Sequence, residues 1–166
     1  AEMSVSFPHK LFQEFASALY LESIFKSDRA AYDKVMTEVI IPSMQEYRYL
    51  LYFTSSRGQD IGLNILNHVT TYSHTLNTDK PFGNENGRNF SVDVAFECHD
   101  QAAAASMVAE RLMSDTKTLT IHSSHTAHTA SGYLYIMRHC QLPLVNYTSI
   151  NPFILTTDMV KCLVHV

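Results

Sequence analysis

Apolar residues recur at helical intervals through the first forty positions. Ser6-Phe7-Pro8 has the chemistry of a helix start, since serine caps well and proline needs no N–H in the first turn. Leu11, Phe12, Phe15, Leu19 and Phe25 follow at spacings that share one stripe. Ser27-Asp28 then offers a second cap ahead of Tyr32, Val35, Met36 and Val39. The pattern predicts two tightly joined amphipathic helices ending at Pro42. Residues 46–54 fit a strand by their aromatics and a helix by their length, and Ser55-Ser56-Arg57-Gly58 reads as a turn.

Further along, the period shortens to two. Phe90, Val92, Val94, Phe96 and Cys98 alternate with Ser91, Asp93, Ala95 and Glu97, the mark of a half-buried strand. A helix is predicted over residues 100–114, with Asp100 as cap and Ala104, Val108 and Leu112 as its stripe beside Met107. Alternation or β-rich composition predicts further strands at residues 68–72, 119–121, 133–142 and 159–166. Polar runs at 77–89 and 122–131 read as loops, and Pro143 and Asn151-Pro152 punctuate turns. The expected fold is therefore α+β. An antiparallel sheet of residues 90–98, 133–142 and 159–166 carries one packed helix and follows an N-terminal helical segment. The chain is expected to be one domain, helical over 1–65 and β-rich over 66–166.

Composition narrows the function classes. The chain has 166 residues, 46% of them hydrophobic, 17% charged, with a formal charge of -4. Its twelve basic residues are scattered singly, which disfavours a phosphate-backbone or anionic-membrane partner. Cys98, Cys140 and Cys162 form no C-x-x-C pair and read as free thiols of a reducing compartment such as a cytoplasm. No stretch approaches the length of a membrane span. Phosphate-loop and nucleophile-elbow motifs are not found, and no cofactor is expected.

Chemistry-bearing residues are sparse. His122, His125 and His128 are spaced three apart, which suits a zinc or nickel ion if the segment is rigid. Their serine- and threonine-rich surroundings favour a solvated loop instead. His68-Val69-Thr70 paired with His125 or His128 resembles the His-x-Thr/Ser motifs of two-histidine phosphoesterases. In that family, the imidazoles act as general base and acid on a phosphodiester. The second motif departs from the pattern, with Ala after His125 and His128 where the hydroxyl residue should stand, or else is His122-Ser123-Ser124 with Ser in the third place.

The layout from about residue 68 onward resembles the tail-terminator and minor capsid (head–tail completion) proteins of long-tailed bacteriophages. The matching pieces are the strand Val69-Thr70-Thr71-Tyr72, the polar loop 77–88, the strand 89–98 leading into a helix, the hairpin region 133–147 and the terminal strand 156–166. The N-terminal 65 residues hold more helix than that family usually shows. The resemblance implies a non-enzymatic virion protein made in the host cytoplasm. It would self-assemble into a ring, hexameric by analogy, with neighbouring virion proteins as partners.

Overall fold

The computed structural model describes residues 9–75, 85–98, 100–115, 121 and 125–140. Of these, 87% are helical, and no sheet is formed among them. Helix α1 (Lys10–Ser27) is capped by His9, whose Nδ1 accepts from the Leu11 amide at 3.2 Å. Asp28 ends α1 and starts α2 (Arg29–Val35). Its amide donates to the Ile24 carbonyl, while its carboxylate accepts from the Ala31 amide at 3.0 Å. This double use makes the tight junction expected from Ser27-Asp28. α2 loosens into a π-helical turn, Met36–Ile40, and then a 3-10 turn, Ile41–Ser43. Pro42 sits in that last turn, where a missing N–H stops an α-helical ladder.

Five more helices follow: α3 (Arg48–Ser55), α4 (Gln59–Thr75), α5 (Glu85–Glu97), α6 (Gln101–Asp115) and α7 (Ala127–Cys140). α6 matches the predicted helix, and Asp100 caps it as expected, accepting from the Ala103 amide at 3.1 Å. α5 is the axis of the bundle and touches α3, α4, α6 and α7. One hydrophobic core runs without a break from Ala18 in α1 to Met137 in α7.

The predicted antiparallel sheet is not formed, so the α+β expectation is corrected to an all-helical architecture among the described residues. Residues 90–98 belong to α5 and its end, 133–140 to α7, and 68–72 to α4. Ile121 is an isolated bridge residue, while 119–120, 141–142 and 159–166 lie outside the described residues. Of the two predicted loops, 85–89 open α5 and 127–131 open α7. Residues 77–84 and 122–124 lie outside the description.

Burial explains the difference. Phe90, Ser91, Val92, Val94 and Ala95 are buried and cover a little over half of the circumference of α5, leaving one half-buried side at Asn89, Asp93 and Glu97. So wide a buried face blurs the 3.6-residue stripe in the sequence. In α7 the enclosure is complete from Gly132 through Met137, which are buried without interruption. Gly132 lets these two helices touch. A Cβ there would lie 2.7 Å from Val92 Cγ1 and 3.1 Å from the Val92 carbonyl oxygen.

Candidate functional site

The richest polar cluster lies in the seam between α3, α5 and α7. Asn89, Asp93 and Glu97 recur every fourth residue along the side of α5 that is only half buried. Tyr52 of α3 donates its hydroxyl to Asp93 Oδ2 at 3.0 Å. The His128 ring, in the first turn of α7, stacks on Tyr52 at 5.3 Å and meets Phe96 edge-on at 5.3 Å. Its Nε2 stands 3.5 Å from Glu97 Oε1, an ion-pair distance without a hydrogen bond, and Asp93 Oδ1 is buried without a hydrogen-bond partner. Next to this, Tyr133 donates to Asn89 Oδ1 at 3.0 Å, and the buried His125 stacks on Tyr133 almost face to face.

Burial dominates the electrostatics. It pushes the Asp93 carboxyl above its ordinary value, against the pull of Thr129, His128, Tyr52 and Arg48. It likewise pushes the Tyr52 phenol up, assisted by the Asp93 charge. A carboxylate placed between a phenol and an imidazole can store or pass a proton. Equally, it can hold the helices in one register, because a shift would break the Tyr52–Asp93 bond and leave further buried polar atoms alone.

The other candidate histidine sits elsewhere. His68, on α4, faces α2, with Nε2 3.8 Å from Asp33 Oδ1 and its ring edge-on to Tyr32 at 6.4 Å. Its surroundings lower its pKa, burial more than anything else. Thr70 is buried, and its hydroxyl donates to the Leu66 and Asn67 carbonyls at 2.8 and 3.1 Å. His68 and His128 share none of these ring or charge partners, and both lie on helices rather than on paired strands. His122 lies outside the described residues, among which no group of three or more His, Cys, Asp or Glu could hold a metal ion.

No protein-family model, curated protein or solved structure matches this chain.

A second feature is on the surface. α1 buries Glu14, Ala18, Leu21 and Ile24, leaving the sequence's own apolar stripe outside. Leu11, Phe12, Phe15, Leu19 and Tyr20 are between 41% and 67% exposed. From Leu11 to Leu21 the single charged side chain is Glu14, and it is buried. Phe15 is held by the Phe53 ring of α3, 5.8 Å away and edge-on. Arg57, ion-paired to Glu22, lies 6.0 Å from the Phe15 ring and borders the stripe. The stripe was visible in the sequence, but its outward direction was not. The Tyr52–Asp93 pair, 41 residues apart, left no local signal at all.

Proposed function

We propose that this protein is an assembly component that docks other protein through the outer face of α1, rather than an enzyme. The carrying observation is the three-turn helical stripe that is apolar, exposed and free of exposed charge. With aromatic side chains of about 150–250 Å² and aliphatic ones somewhat smaller, the five residues expose about 500 Å² together. A patch of this size is comparable to the largest that monomers present, and such patches are often functional.

A ring subunit of a virion is one setting for such a face, and the low charge of the chain suits large protein–protein contacts. The particular likeness to phage tail-terminator and head–tail completion proteins rested on strands, and takes no support from α5 and α7 being helices. The phosphoesterase alternative needs two histidines converging on one phosphate, whereas His68 and His128 keep separate neighbours. A photo-crosslinking residue at position 12 in native cells tests the docking reading, with exposed position 110 on α6 as the control. Adducts are expected from position 12 and not from 110. Absence of adducts at 12, or equal adducts at both, overturns the reading.

A further inference from the structure

We infer that the occupant of the α1 face is a second copy of the same chain, paired antiparallel about a twofold axis; this rests on the docking reading above. Three observations favour the copy. The first is charge. A partner must bring three uncharged turns to match the stretch from Leu11 to Leu21, and the stretch itself is such a surface. A charged partner would meet only Arg57 at the border, and Arg57 is already paired to Glu22.

The second is spacing. Phe12 and Leu19 are two turns apart and fall within about 20° of one line along the helix. A twofold axis crossing α1 between Phe15 and Ala16 lays that line on itself in reverse. Phe12 then meets Leu19 of the second copy, Leu19 meets its Phe12, and the two Phe15 rings flank the axis. The small Ala16 adds no bulk there. Antiparallel helices also set their dipoles in the favourable sense.

The third is area. Two copies together would bury at most about 1,000 Å², because Leu11 and Tyr20 lie on opposite flanks of the stripe, so the dimer should be weak and reversible rather than permanent. The same 500 Å² against an unlike partner would need that partner to offer an equal uncharged strip.

Sedimentation of the purified full chain over a broad concentration range tests this. A monomer–dimer equilibrium is expected. Phe12→Glu and Leu19→Lys, each at an exposed position, should each weaken it about tenfold or more while leaving the helical circular dichroism unchanged. The double variant Phe12→Glu/Leu19→Lys sets opposite charges across the axis at both ends and should regain most of the lost affinity. A monomer at all concentrations, or a dimer indifferent to either single change, overturns the inference. Loss without recovery in the double variant overturns the antiparallel pairing. The crosslink at position 12 separates the two readings. An adduct of twice the chain mass supports the copy, an adduct of another mass overturns the copy while leaving docking intact, and no adduct removes docking itself.

Discussion

Asp93 shows how one residue is governed by its surroundings. Burial raises its folded pKa above the ordinary 3.8, so the folded state holds that proton more tightly than the unfolded chain does. The resulting contribution is fully present below pH 3.8 and is lost as pH rises through the folded value. Asp93→Asn keeps an oxygen that can accept from Tyr52 and removes the ionisable carboxyl. Urea denaturation across the acid-to-neutral range should find the variant more stable than wild type at pH 7. The difference should close as pH falls toward the ordinary carboxyl value. A less stable variant at pH 7 would mean that the ionised carboxylate stabilises the seam through His128 and Arg48.

Among elements, the α5–α7 contact is decided by Gly132. In a solvated helix, Gly→Ala gains about 1 kcal/mol of helix propensity. Here the added methyl would overlap Val92 Cγ1 at 2.7 Å, and the β-branched Val92, fixed inside the bundle, cannot turn away. Gly132→Ala should therefore destabilise the protein by about 1–3 kcal/mol, read as a fall in the thermal midpoint. A rise would mean that the two helices separate at little cost. In the sequence, Gly132 stands between the polar run 122–131 and the alternating run 133–142. Within an enclosed helix, glycine marks where two backbones come close.

At the scale of the whole molecule, the continuous core implies that the helices stand or fall together. Val94 is completely buried in α5, among four neighbouring helices. Val94→Asp would place a charge there with no designed partner, at a cost of several kcal/mol. Helical circular dichroism should be lost as a whole, in a single transition, rather than from α5 alone. A soluble variant that melts like wild type would mean that α5 is peripheral. The sheet reading also required Val94 to be buried, so this position was legible even though its secondary structure was not.

Local chemistry was determined by the sequence alone. Asp28 and Asp100 cap helices because a short carboxylate reaches the free amides of the next turn, whatever the fold around it. The helix near residues 100–114 was equally plain, since one solvated side preserves the 3.6-residue period, and the apolar stripe of α1 was plain although it faces outward. Only the tertiary structure decided the rest. Asn89, Asp93 and Glu97, spaced by four, satisfy a period of two as well as a period of 3.6, so their polar line could not tell strand from helix. The wide buried face of α5 and the full enclosure of residues 132–137 in α7 removed the pattern that would have told them apart. The pairing of Tyr52 with Asp93, the separation of His68 from His128 and the outward turn of the α1 stripe follow from how the helices meet. No local pattern encodes that, because packing is settled by residues far apart in the chain.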